Sequence, residues 1–232
     1  MDGFVHSFQS MGAVDGPGLR YLVFMQGCPL RCVYCHNPDT WAFFGGQQVS
    51  AKQVVRQALR YRTYFKRGGG VTVSGGEALS QWEFVADLFE RLKDQGIHTA
   101  LDTSGIGSST GARQVLKHTD LVICDIKFPS EELYRVNCGG SLKDVLEFLR
   151  LTESMEIPLW IRHVVVPNLT DSAENILTVR RLAREFKNLE KIELLPFRKL
   201  CMAKYEELGI EFPLKDTPEC LESEIERLRK LL

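Results

Sequence analysis

Tyr21-Leu-Val-Phe-Met-Gln-Gly-Cys-Pro-Leu-Arg-Cys-Val-Tyr-Cys-His-Asn37 carries two signals in one stretch. Its first part, Tyr21–Gln26, is apolar and β-prone, as a buried strand requires. Its second part sets Cys28, Cys32 and Cys35 on the loop that follows. Thiols this close in sequence point to one shared metal centre. Three are one thiolate short of a fully ligated iron–sulfur cube or a closed four-cysteine zinc site, so one coordination position is left for another side chain or a substrate. The alternative is a structural zinc ion with His36 as fourth ligand; against it stands the tendency of neighbouring side chains such as Cys35 and His36 to diverge. Cys124, Cys138, Cys201 and Cys220 are scattered singly and read as small apolar residues.

Outward from this stretch, β-rich runs alternate with helical ones. Strands are predicted at Tyr21–Gln26, Val71–Ser74, His98–Asp102, Leu121–Ile126, Leu159–Val166 and Lys191–Leu195. Apolar residues at three- and four-residue spacing predict helices at Ser50–Phe65 and Leu79–Gln95, and N-cap residues open two more at Ser141–Met155 and Asp171–Phe186. Strand-then-helix repetition implies an α/β fold with a parallel sheet and right-handed crossovers. About six such units are too few for the eight of a full barrel. Polar residues recur at the ends of these strands: the cysteines, then Gly75-Gly76-Glu77, then Asp102 and Thr103, then Asp125 and Lys127, then Arg198. In parallel α/β folds those ends meet on one face, so residues far apart in sequence gather over one ligand. Helix capping accounts for single Asp or Ser residues there, but not for the whole set.

Composition bounds the rest. A chain of 232 residues, 44% hydrophobic and 25% charged, can bury the core of one domain, or of two small ones at most. With 29 basic against 30 acidic residues the net charge is −1, which leaves no global field for nucleic acid or an anionic membrane. No apolar run approaches the roughly 20 residues of a membrane span. The opening Met1-Asp-Gly-Phe-Val-His6 lacks the basic start and apolar core of a signal peptide, so a reducing cytoplasmic setting with free thiols is expected. Gly68-Gly-Gly70 and Gly75-Gly76 lack a following Gly-Lys-Ser or Gly-Lys-Thr and make no nucleotide triphosphate loop.

The C-x3-C-x2-C spacing, with Tyr34 before the last cysteine, resembles the radical S-adenosylmethionine (SAM) superfamily. The rest of the chain narrows the likeness: Asp15-Gly-Pro-Gly-Leu-Arg20, Ser74-Gly-Gly-Glu77, Leu101-Asp-Thr-Ser-Gly105, Asp125-Ile-Lys127 and Trp160-Ile-Arg162, in that order, resemble the activating enzymes of glycyl radical enzymes, those of the pyruvate formate-lyase type most. The resemblance runs from about His6 to about Leu200. It implies a partial (β/α)6 barrel, open on one side, formed by residues 1–232 as a single domain. It implies a 4Fe-4S cluster on Cys28, Cys32 and Cys35 with SAM at the open iron. The reaction implied is reductive cleavage of SAM and removal of hydrogen from a glycine of a partner glycyl radical enzyme, with no side-chain acid or base. Residues 36–74 contain no cysteine, so no ferredoxin-like insert of the kind some related activators carry is expected.

The same likeness implies roles for single residues. Tyr34 and His36 are placed at the adenine, Gly75, Gly76 and Glu77 at the amino end of SAM, and Asp102, Asp125, Ile126 and Lys127 at its ribose or carboxylate. Asp102, Thr103 and Asp125 alternatively hold a monovalent cation. Asp15, Gly16, Arg20 and Arg162 are implied at the incoming peptide, with the Asp15–Arg20 segment at the mouth. The rival readings are a turn stiffened by Pro17 for that segment, a local ion pair for Arg162, and for Glu77 the favourable field of a helix N-terminus. His163, next to Arg162 in a strand, points to the other face. Where the family pattern commonly reads Leu-Pro-Tyr-His, this chain has Leu195-Pro-Phe-Arg198, so Arg198 replaces a histidine contact to SAM or the contact is lost. A flavodoxin or ferredoxin is implied as electron donor and a monomer is expected. Arg56, Arg60, Arg62, Lys66 and Arg67 read as the solvated face of a helix, with docking of an acidic carrier as the alternative.

Overall fold

The computed structural model describes residues 1–66 and 68–232. Six strands, β2 (Arg20–Met25), β4 (Gly70–Gly75), β5 (His98–Thr103), β6 (Leu121–Asp125), β7 (Leu159–Val165) and β8 (Leu189–Pro196), pair in parallel in the order of the chain. β2, β4, β5, β6 and β7 are buried over most of their length and read as largely apolar runs, whereas the edge strand β8 is half-exposed and was legible from Ile192, Leu194 and Leu195. Two further strands extend the sheet. β1 (Asp2–Gly12) runs antiparallel to β2, and β3 (Gln47–Ser50) antiparallel to β1, giving eight strands in the order β3-β1-β2-β4-β5-β6-β7-β8. Neither was expected.

Helices cover the outside. α1 (Ala51–Leu59) ends earlier than expected and is followed by a 310 turn at Arg62–Tyr64; Ser50 and Gln53 form its capping box. α2 (Trp82–Asp94) buries Phe84, Val85, Leu88, Phe89 and Leu92, a stripe at three- and four-residue spacing. α3 (Ser109–Leu116) and α4 (Glu131–Cys138) are short additions, each opened by a serine N-cap. α5 (Leu142–Ser154) and α6 (Ala173–Ala183) occupy the predicted positions behind caps Ser141 and Ser172. α7 (Met202–Leu208) and α8 (Glu222–Arg229) close the chain.

The sheet is curved. Phe24 on β2 and Leu195 and Pro196 on β8 border one cavity although four strands separate β2 from β8, which a flat sheet does not allow. The result is the open α/β half-barrel expected of the fold class, with parallel strands inside and helices outside. Residues 36–74 hold a 310 turn at Pro38–Thr40, the edge strand β3 and α1. No helix among the described residues is long and apolar enough to cross a membrane.

Candidate active site

A cavity of about 450 Å³ opens at the carboxyl ends of the parallel strands. Each strand contributes through its last residues or the loop behind it: Cys28, Cys32, Tyr34, Cys35 and His36 after β2, Ser74, Gly75 and Gly76 from β4, and Asp102, Thr103 and Ser104 from β5. β6 adds Asp125 and Lys127, β7 adds Arg162 and Val164, and Asp15 joins from the loop between β1 and β2. The close approach of β4 to β2 depends on glycine. Gly75 has φ +110°, and a Cβ there would stand 2.2 Å from Met25 N; one on Gly76 would stand 2.3 Å from Gly27 O.

The cysteine loop is held from three sides. Gly27 N donates to Thr40 O, Arg31 N to Cys138 O and Val33 N to Asn137 O. The segment after β8 adds a third support: the His36 ring donates to Arg198 O at 2.7 Å, Tyr205 Oη donates to Cys35 O, and Lys204 reaches Asn37 and Asp39. That bond commits Nε2 of His36 and leaves Nδ1 as the ring nitrogen the zinc alternative would use. Among the described residues no three His, Cys, Asp or Glu side chains gather around a point as a single ion needs.

All seven cysteines are free. Burial pushes the Cys28 thiol up to about 12 and raises Cys35, whereas the neighbouring Cys138 thiol brings Cys32 down to about 7. Thiols in so little solvent ionise when a cationic centre takes them as ligands. Three of them lining one chamber together with polar groups fit an iron–sulfur group that keeps one position open.

The cavity also carries charged groups. Asp102 accepts from Ser74 Oγ at 2.7 Å and lies 3.6 Å from Arg162; burial raises it to about 6 against the pull of that guanidinium. Arg162 also pairs with Glu193 at 2.8 Å and donates to Val14 O, so the local ion pair and the cavity position hold together. Burial opposes the charge on Lys127, but Asp125 at 2.9 Å outweighs it and holds the ammonium well above its ordinary range. Tyr34 is buried beside Phe128 and its hydroxyl donates to Lys127 O. His163 points away from the cavity, its ring donating to Ile126 O and facing Asn175, as strand alternation required.

Several expected roles change. Glu77 is 1% exposed and does not line the cavity; its Oε1 accepts from Leu79 N and Thr103 Oγ1, its Oε2 from the main-chain N and Oγ of Ser104. Its carboxylate ties the β4 turn to β5, so no ammonium contact is available to it. Thr103 Oγ1 is thereby spent on Glu77, while Asp102 turns to Arg162 and Asp125 to Lys127, so the three residues of the cation alternative do not converge. Ile126 is fully buried, with its N–H on Arg162 O.

The Asp15–Arg20 segment is not at the mouth. Arg20 is fully buried at the amino end of β2 and donates to Thr72 Oγ1, Val71 O and Gly68 O, which leaves nothing for a peptide. Burial lowers it to about 10. Gly16 packs on its side chain; of this segment only Asp15 lines the cavity. Arg198 turns its guanidinium to Cys220 O and Glu222, away from the cavity. The basic stretch also leads away: Tyr61 stacks on Tyr21 and Arg62 donates to Gln95 O, near the amino ends of the strands. The six residues of β2, roughly 17 Å long, lie between that end and the thiols. Arg67 lies outside the described residues. Sequence reasoning did not single out Ser104 or Val164 as lining residues; Val164 shares a strand face with Arg162, and that two-residue spacing was the available signal.

Comparison with known proteins agrees with this geometry. The radical SAM superfamily profile matches residues 22–179. The chain is 46% identical over 231 residues to the pyruvate formate-lyase-activating enzyme of Clostridium pasteurianum, covering 99% of this chain and 97% of that one. It is 43% identical over 224 residues to the enzyme of the same name from Staphylococcus aureus strain USA300, covering 93% and 89%. In fold it is similar to a domain of the pyruvate-formate lyase-activating enzyme from Bacteroides vulgatus (TM-score 0.59, 23% identity, 71% and 93% coverage). It is also similar to a radical SAM methyltransferase from Sphaerobacter thermophilus (TM-score 0.66, 15% identity, 92% and 63%). Near-complete coverage at such identity, on a chamber walled by three thiols, means that the chain belongs to the radical SAM superfamily and, within it, to the family of pyruvate formate-lyase-activating enzymes.

Proposed function

We propose that the cavity binds SAM against a 4Fe-4S cluster held by Cys28, Cys32 and Cys35, and that the hydrogen removed comes from a glycine of pyruvate formate-lyase. A member of this family uses both cofactors. When bound, they supply one-electron cleavage of SAM and the hydrogen abstraction that follows. The observation that carries the reading is the meeting of the three thiols with Gly75, Gly76, Asp102, Asp125 and Lys127 around one chamber.

The chain's own residues bind and orient. Tyr34 offers a flat wall for the purine, with His36 at the rim. The main chain at Gly75 and Gly76, where no Cβ intervenes, takes the ammonium group of SAM. The Asp125–Lys127 pair and Asp102 serve its ribose hydroxyls and carboxylate, a mixed-charge set that suits a zwitterion. Arg162 and Asp15 stand where a peptide approaches from the far side. Phe24, Val164 and Leu195 keep water from the reacting atoms. A hydrogen atom is moved rather than a proton, so no general acid or base is assigned. One radical SAM domain without a ferredoxin-like insert, working as a cytoplasmic monomer reduced by a flavodoxin or ferredoxin, completes the reading. The single continuous sheet and the β3–α1 content of residues 36–74 support its domain part.

The test is anaerobic: load iron and sulfide, reduce, add SAM and pyruvate formate-lyase, and record the electron paramagnetic resonance (EPR) spectrum alongside 5′-deoxyadenosine. A glycyl doublet matched by 5′-deoxyadenosine is expected. Deoxyadenosine without a doublet would assign the chain a different substrate, and neither product from a loaded cluster would overturn the reading.

A further inference from the structure

Helix α4 ends on the cysteine loop, and two main-chain hydrogen bonds fasten it there: Arg31 N to Cys138 O at 2.8 Å and Val33 N to Asn137 O at 2.9 Å. These bonds flank Cys32. Cys138, fully buried, brings its thiol beside that of Cys32. One helical turn earlier and on the same face, Tyr134 is also fully buried, and its hydroxyl has no hydrogen-bond partner among the described residues. That hydroxyl is within electrostatic reach of Lys127, Cys138 and Cys32. The packing leaves no slack: a Cβ on Gly140 would stand 2.7 Å from Leu30 of the cysteine loop and 3.3 Å from the Tyr134 ring. A buried phenol without an acceptor is costly, and phenylalanine would fill the same space without that cost. Alanine or valine at 138 would likewise fill space without adding a donor.

We propose that the Tyr134–Cys138 face of α4 donates hydrogen bonds to the Cys32 side of the bound iron–sulfur group and so raises the potential at which that group accepts its electron. Reduction adds negative charge to the cluster and its thiolates, so fixed donors stabilise the reduced form more than the oxidised one. Cys138 and Tyr134 are positioning residues in this account; neither lines the SAM cavity. The proposal rests on Cys28, Cys32 and Cys35 being the cluster ligands.

The test is a potentiometric titration of the anaerobically loaded full chain, monitored by EPR, with iron and sulfide content measured on each sample. In Cys138→Ala and Tyr134→Phe, at the parent's iron content, the midpoint moves to more negative potential. At the parent's midpoint the reduced-to-oxidised ratio falls by about threefold to tenfold, the range one neutral hydrogen bond supplies. Cys138→Ser, which keeps a donor, returns the midpoint toward the parent's. If the alanine variant loses its cluster, the isosteric Tyr134→Phe carries the test. A fully loaded Cys138→Ala or Tyr134→Phe titrating with the parent overturns the donor role alone, as does a serine variant no nearer the parent than alanine. A parent that binds no 4Fe-4S cluster overturns the ligand assignment and the proposal together.

Discussion

Replacing Glu77 with glutamine separates two roles that a sequence motif alone confounds. Each carboxylate oxygen of Glu77 accepts one main-chain N–H, Leu79 at 2.9 Å on Oε1 and Ser104 at 2.8 Å on Oε2. The hydroxyls of Thr103 and Ser104 can turn to accept from an amide, but a main-chain N–H cannot. Either orientation of glutamine therefore sets an N–H group against another N–H in a site that is 1% exposed. Losing a charge-assisted bond costs about 1.5–3 kcal/mol and burying an unsatisfied donor about 1–3 kcal/mol more. Relief from desolvation, which raises the Glu77 pKa, returns part of that. A net loss of about 3 kcal/mol lowers Tm by roughly 6–12 °C in a chain of this size. Because the carboxylate does not face the cavity, SAM affinity changes by less than about threefold, equivalent to about 0.6 kcal/mol. Anaerobic scanning fluorimetry of cluster-loaded Glu77→Gln gives the first quantity and isothermal titration calorimetry with SAM the second. A Tm within about 2 °C of the parent's, joined to a SAM affinity at least tenfold weaker, would refute the structural role and restore the ammonium contact.

Arg20→Lys keeps the charge but loses the fork that serves Thr72, Val71 and Gly68, so the urea midpoint falls by an amount equivalent to about 3 kcal/mol while SAM affinity holds. Asp102, held near 6 by burial against an ordinary 3.8, binds its proton more tightly when folded. Its stabilising contribution is complete below pH 3.8 and is lost as pH rises through 6, about 2–3 kcal/mol across that window. Asp102→Asn removes the dependence, so the variant gains stability over the parent as pH rises from 4 to 7, measurable as diverging urea midpoints in cofactor-free protein. Arg198→Ala leaves the SAM dissociation constant within about threefold of the parent's by calorimetry, because its guanidinium serves Cys220 O and Glu222 instead.

The parallel core was legible because its inner strands are buried on both faces, as Val71–Ser74 and Leu121–Ile126 are. The edge strands were not. Gln47–Ser50 is four residues long and mostly polar, and Asp2–Gly12 alternates exposed and buried positions only as far as Val5, so tertiary pairing rather than composition decides them. The site's location followed from strand ends, and the cavity indeed gathers Cys28, Gly76, Asp102, Asp125 and Lys127. What strand position does not encode is where a side chain finds its partners. Glu77 is captured by Thr103 and Ser104 from the neighbouring strand, and Arg20 by carbonyls near residue 70, pairings that appear only once β2, β4 and β5 lie side by side. Arg198 is turned by the segment around Cys220, which lies beyond the motifs that carried the sequence reading. Cys138 seemed isolated for the same reason: the crossing of α4 over the cysteine loop brings it to Cys32 from more than a hundred positions away.

The central claim is that this cavity removes a hydrogen atom from a glycine of a partner protein. Pyruvate formate-lyase prepared with glycine deuterated at the α-carbon tests it most directly, with the 5′-deoxyadenosine from a single anaerobic turnover read by mass spectrometry. The account predicts deoxyadenosine carrying one deuterium in step with the rise of the glycyl EPR signal. Unlabelled deoxyadenosine alongside that signal would contradict it.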